Sequence, residues 1–131
     1  MQWEIIDRRK MITYYEFNMF CSTLPASHKV IQWGGAHVWK VGEKVFAIGG
    51  WSNVEEPYVT FKCSPQSYEI MKDQPGLRPA PYFASRGMKW IQMITAESLS
   101  IEDLKLYLRE SHRLASENMT KKKRKELGLL E

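Results

Sequence analysis

An α+β fold, an antiparallel sheet packed against helices, is what this sequence predicts, and three observations predict it. Thr13-Tyr14-Tyr15-Glu16 and Ser100-Ile101-Glu102-Asp103 are helix-capping signatures near the two ends of the chain. Between them, residues 28–63 and 89–95 change to an alternation of period two, rich in β-branched and aromatic side chains. Tight glycine turns join the first of these stretches, the pattern of a meander with one buried face.

The elements follow in order. After the Thr13 cap, Phe17, Phe20, Cys21 and Leu24 fall on one helical face, and Leu24-Pro25 ends that helix. Cys21 lies within the apolar stripe and reads as a small core residue. Strands are expected over 28–33, 36–41, 44–48 and 58–63. Gly34-Gly35 reverses the chain after the first, and Val41-Gly42-Glu43-Lys44 is a tight turn after the second. Gly49-Gly50 opens a longer connection running to Pro57. On the fourth strand Val59, Phe61 and Cys63 share one face, and Tyr58, Thr60 and Lys62 the other.

Ser64-Pro65 starts a second helix, with serine as cap and proline in its first turn, running to about Asp73. Pro79, Pro81 and Gly87 favour an irregular path over 77–88. Residues 89–95 return to strand alternation, with Met88, Trp90, Gln92 and Ile94 on one side. Beyond the Ser100 cap, Ile101, Leu104, Leu108 and Ala115 form the stripe of a long helix, with Tyr107 and Leu114 at its edge; Asn118 is expected to end it in a left-handed conformation. Thr120 caps a short last helix closed by Gly128, which sets Lys121 and Lys122 at its positive end, so that either the helix frays or a negative group belongs there.

Residues 1–10 read as an N-terminal extension, and 11–131 as one domain ending in a basic segment over 120–131. The net charge of +4 is unevenly spread. Lys121, Lys122, Lys123, Arg124 and Lys125 carry five positive charges; without them 14 basic face 15 acidic residues. The body is neutral and the ends, with Arg8, Arg9 and Lys10, are basic, suited to phosphates, to an acidic membrane surface or to keeping a tail in solution. No run approaches the ~18 apolar residues of a membrane span, and residues 1–10 lack the apolar core of a secretory signal. Two cysteines make neither a disulfide framework nor a four-thiolate zinc site, and the cytoplasm is the expected compartment.

Most enzyme chemistries are not signalled. His28, His37 and His112 do not share a helical turn, although His28 and His37 lie on strands that can bring them close. The glycine pairs read as turns rather than phosphate cradles, no serine sits in a nucleophile elbow, and the adjacent acids point apart. His112 reads as a partly exposed structural histidine. No catalytic residue, metal site or cofactor is expected. The aromatic supply is more suggestive. Trp33, Trp39, Trp51 and Trp90 lie near strands with Tyr58 and Tyr82, where rings either pack beneath helices or stack on bases.

The order of several segments resembles the MmcQ/YjbR family of small bacterial proteins. These are Phe20 to Pro25, His37 to Ala47, Phe61-Lys62-Cys63-Ser64-Pro65, Pro75-Gly76-Leu77-Arg78-Pro79-Ala80-Pro81-Tyr82, Lys89-Trp90 and Glu110-Ser111-His112. The resemblance spans about residues 11–128 and implies a CyaY-like α+β fold with a curved antiparallel sheet. It also implies DNA binding through exposed loops or wings. Many relatives carry a His-Met-Asn-Lys stretch after the tyrosine; here Tyr82 to Trp90 keeps the tryptophan and a nearby base without the histidines or asparagine.

The expected function is therefore a non-enzymatic binding protein, monomeric rather than an obligate oligomer, with no membrane partner. Weak, non-sequence-specific DNA binding would use Lys121, Lys122, Lys123, Arg124 and Lys125, with Lys62, Arg86, Lys89 and Trp90 on the body. The alternative is a protein- or small-ligand-binding domain that uses a sheet edge or an aromatic pocket.

Overall fold

The structure, a computed structural model, describes residues 10–50 and 58–130. The Thr13 capping box forms: its hydroxyl accepts from Glu16 N at 3.1 Å and the Glu16 carboxylate accepts from Thr13 N at 3.0 Å. It launches α1 (Tyr14–Ser22), which buries Phe17 and Cys21. The meander follows as β1 (Ser27–Gln32), β2 (Ala36–Val41), β3 (Lys44–Gly50) and β4 (Tyr58–Lys62). Next come α2 (Pro65–Met71), β5 (Leu77–Pro79), β6 (Trp90–Met93), α3 (Ile101–Ser116) and α4 (Lys121–Glu126). All strand pairings are antiparallel, in the order β1-β2-β3-β4-β6-β5.

One face of the sheet is the core. Trp39, Val41, Phe46, Ala47, Val59, Phe61, Ile91 and Met93 point from the strands toward Phe17 and Cys21 of α1 and Leu104 and Leu108 of α3. α3 crosses β2, β3 and β4, α1 covers β1, and α2 sits at the β5–β6 end. A bulge between Trp39 and Lys40 lets consecutive Phe46 and Ala47 both be buried. Polar groups also tie α3 down. Ser111 donates its hydroxyl within reach of the Lys62 and Tyr107 carbonyls, and His112 Nε2–H donates to the Pro25 carbonyl at 2.7 Å.

Five expectations need correction. Gly49 and Gly50 belong to β3, paired with Val59 and Tyr58, so the β3–β4 connection lies in 51–57, outside the described residues with Trp51. Residues 77–79 form a strand despite Pro79, because β5 is at the sheet edge, where a missing ladder donor is tolerated. His28 and His37 do not approach: the β1–β2 register pairs them with Lys40 and Ile31, and alternation sends them to opposite faces. α3 ends without a left-handed residue at Asn118; Glu117 caps it in right-handed geometry, its N–H bonded back to Arg113 and Ala115 carbonyls. The C-terminal segment is folded against the body. Gly42, at φ +59°, turns the chain so tightly that an added Cβ would lie 3.0 Å from both Leu127 and Met119.

Among the described residues no helix is long and apolar enough to cross a membrane.

Candidate functional site

The open face of the sheet, opposite the helices, carries Ile48, Thr60, Lys62, Trp90, Gln92 and Arg78 by strand alternation. Gln92 bridges its neighbours, donating to Thr60 Oγ1 at 3.2 Å and accepting from Arg78 Nε at 2.8 Å. The β5–β6 loop folds back over part of this face. Ala80 N donates to Trp90 O at 2.9 Å and Met88 N to Phe83 O at 3.0 Å, closing the loop around a single 3₁₀ turn at Ala84–Arg86. The fold-back lays Phe83 on Trp90, with centroids 4.6 Å apart and planes within 13°. Trp90 is consequently only 3 % exposed, and its buried indole N–H has no hydrogen-bond partner.

Phe83 separates two recesses. One, of about 450 Å³, is lined by Trp33, Ile48, Tyr82 and Phe83. The other, of about 310 Å³, is bounded by Lys44, Lys62, Met88, Trp90 and Asn118 beside Phe83. None of the described residues lining either is acidic, and Lys44 and Lys62 line the second. Three other surface grooves of similar size each include a carboxylate: Asp103 and Glu110, Glu117, or Glu16. The Phe83 face is thus apolar, aromatic and cationic at once.

The sequence-predicted residues divide by position. Lys62 sits over Trp90, its Nζ 6.0 Å from the ring centroid. Arg86 stacks on Tyr82 at 5.3 Å, at the edge of the larger recess. Lys89 turns away from both, its Nζ 4.7 Å from the Tyr68 ring of α2. Trp90 forms a wall of the groove, and the exposed aromatic surface belongs to Trp33 and Tyr82. In α4, Lys121, Lys122 and Lys125 are exposed, while Lys123 and Arg124 are half-buried. Arg124 lines a separate recess with Pro25, Arg109, His112 and Leu129, and its Nε is buried without a partner. α4 begins directly after its Thr120 cap, two residues beyond Asn118 of the lysine groove. Arg8 and Arg9 lie outside the described residues; Lys10 is exposed. Lys44, Phe83, Met88 and Asn118 carried no sequence signal as site residues, because only the packing of loop and helix end against the sheet brings them to Lys62.

The groups suited to proton or electron chemistry have structural positions. Burial pushes the Cys63 thiol up to about 12 and the Cys21 thiol higher still, which removes the reactive thiolate at neutral pH. His112 is held below its usual value by burial, against the opposing pull of its bond to the Pro25 carbonyl; its ring meets Phe46 edge-on at 5.3 Å. His37 is lowered by burial and by Lys29, and its Nδ1 accepts from Asn18 Nδ2 at 3.2 Å. Asn18 in turn accepts from the Trp39 indole at 2.8 Å. Among the described residues no cluster of three His, Cys, Asp or Glu side chains is placed to hold a metal ion.

The sequence profile of the YjbR family matches residues 22–114. The chain belongs to the YjbR family. The matched segment holds all six strands, α2 and nearly all of α3, and therefore both recesses except Ala115 and Asn118. Helix α4, with residues 121–125, lies beyond it. The YjbR protein is also similar in fold to the crystal structure of Deinococcus radiodurans protein DR2400, described by its family-model domain DUF419. The two are 24 % identical with a TM-score of 0.77, covering 90 % of this chain and 89 % of the other. None of the curated proteins matches the chain in sequence.

Proposed function

We propose that this YjbR protein is a non-enzymatic nucleic-acid-binding protein that holds the phosphate backbone, without base-specific readout, along the groove bordered by Lys44, Lys62 and Trp90. The observation that carries the reading is the composition of that groove: two lysines, an aromatic wall and no carboxylate among its described lining residues. Cations in a groove whose described lining residues include no acid concentrate phosphate oxygens, and each phosphate engaged releases counterions from the nucleic acid. The exposed lysines of α4 start three residues past Asn118 and extend the same positive margin. The described helices α1 to α3 pack on the sheet and α4 is six residues long, which supports backbone contact over insertion of a recognition helix. The structural positions of Cys21, Cys63, His37 and His112 support binding rather than catalysis.

The test is fluorescence anisotropy with labelled single- and double-stranded oligonucleotides over a salt series. Dissociation constants of ~10⁻⁴–10⁻⁶ M near physiological salt, weakening steeply as salt rises, are expected. An oligonucleotide that fails to bind at ~50 mM salt refutes the reading. A second reading, a small apolar ligand, is favoured by the 450 Å³ recess alone; binding that persists at high salt would select it.

A further inference from the structure

Among the described residues, three other than glycine have left-handed backbone geometry: Ala26 at φ 57°, Trp33 at 49° and Tyr82 at 74°. The latter two are bulky aromatics, for which this region is a true outlier. Both line the same recess, and both are largely exposed, at 64 % and 65 %. Burial of the rings in the core does not account for either strained position. In the β1–β2 turn, Gly35 N donates to Gln32 O at 3.2 Å across Trp33 and Gly34, both at positive φ. Asparagine or glycine is the preferred occupant of such a position. Tyr82 opens the β5–β6 loop in the same unfavourable geometry. Strain of this kind persists where surrounding structure enforces it, and it gathers at ligand-binding sites.

We infer that Trp33 and Tyr82 form a receiving site for an unpaired nucleobase, so that the YjbR protein grips single strands through the recess they share with Ile48 and Phe83. This rests on the nucleic-acid reading above and adds strand selectivity to it. The described residues of the recess lining are aromatic and aliphatic, which suits a planar ring. Arg86, stacked on Tyr82 at 5.3 Å, places a cation at the edge for the flanking phosphate. Lys62 and Lys44, on the other side of Phe83, lie where the next stretch of backbone would run. A paired base is stacked within its duplex and cannot enter.

The experiment compares Trp33→Asn, Tyr82→Asn and Trp33→Phe with wild type, using a labelled single strand and its duplex at one ionic strength. Each asparagine variant is expected to weaken single-strand binding about 5- to 150-fold, with less than a twofold effect on duplex. Trp33→Phe keeps a π face and is expected to retain most of the affinity. The urea midpoints of the asparagine variants should equal or exceed wild type, since asparagine accepts left-handed geometry. Equal losses on both substrates, no loss on either, or a lowered urea midpoint accompanying the loss would overturn the inference while leaving the nucleic-acid reading intact. Wild-type protein that binds neither oligonucleotide would overturn both.

Discussion

Replacing Lys44 and Lys62 together by glutamine should flatten the salt dependence of binding by a calculable amount. Each lysine neutralises one phosphate, and each phosphate contributes about 0.7 to the log–log slope on a single strand and about 0.9 on duplex. The double variant therefore loses about 1.4 from the single-strand slope and about 1.8 from the duplex slope. Between about 50 and 200 mM salt, a fourfold change, the single-strand affinity of the variant should fall about sevenfold less than that of wild type. The structure also revises what α4 contributes. Lys123 and Arg124 are half-buried, leaving Lys121, Lys122 and Lys125 exposed, so their removal should take about 2.7 from the duplex slope rather than the ~4.5 of five contacts. Folding is not at stake in the groove. Lys62 stands 6.0 Å from the Trp90 centroid, an interaction of about 0.5–1 kcal/mol at most at such a surface site. The assay is anisotropy across a salt series, with circular dichroism as the control for folding. A double variant that binds with wild-type slope would show that the phosphates lie elsewhere, and the groove would lose its role.

Further predictions concern the scaffold. Gly76 has φ +81°, and an added Cβ would sit 2.9 Å from the Thr95 carbonyl oxygen and 2.2 Å from its hydroxyl. Gly76→Ala should therefore cost about 2–4 kcal/mol in urea unfolding, combining left-handed strain with overpacking, against about 1–2 kcal/mol for Gly87→Ala, at φ +74° in open space. Equal costs would mean that Thr95 yields freely. His37 and His112 both titrate below their usual value, so the unfolded chain binds more protons just beneath pH ~6.5. Their stabilising contribution is present above ~6.5 and is lost as pH falls toward the lowered folded values. Urea midpoints between about pH 5.5 and 7 should rise with pH, and less so in His112→Gln; a flat profile would contradict the burial of these rings. Cys21 and Cys63 should resist a thiol reagent in the native protein at neutral pH and react once it unfolds. Rapid native labelling would show that the core opens readily.

Much of the fold was legible because its signals are local. Caps at Thr13, Ser64, Ser100 and Thr120 each bond a backbone N–H within their own first turn, so four residues of sequence define each start. Alternation groups Val59 with Phe61 and Ile91 with Met93 without reference to any partner, and the structure buries both groups. The site was less legible. Lys62, Arg86 and Trp90 stood out as charged or aromatic residues, yet nothing in their neighbourhood showed that Trp90 would lie beneath Phe83 or that Lys89 would turn to Tyr68. His112 lies beside the stripe of α3, and its ring finds its partners, the Pro25 carbonyl beyond α1 and Phe46 of β3, only when those segments pack together.

The sequence by itself determined the four helices and five of the six described strands, in order, and which residues share a face in β4 and β6, because periodicity, caps and turn residues act over a few positions; the order of its motifs carried the resemblance to the YjbR family. Tertiary structure decided that β6 enters between β4 and β5, that Met119 and Leu127 pack on the Gly42 turn, and that Trp33, Ile48 and Tyr82 share one recess. Those outcomes join segments far apart in the chain. They depend on strand order and on how the β5–β6 loop settles over the sheet, and neither leaves a local pattern to read.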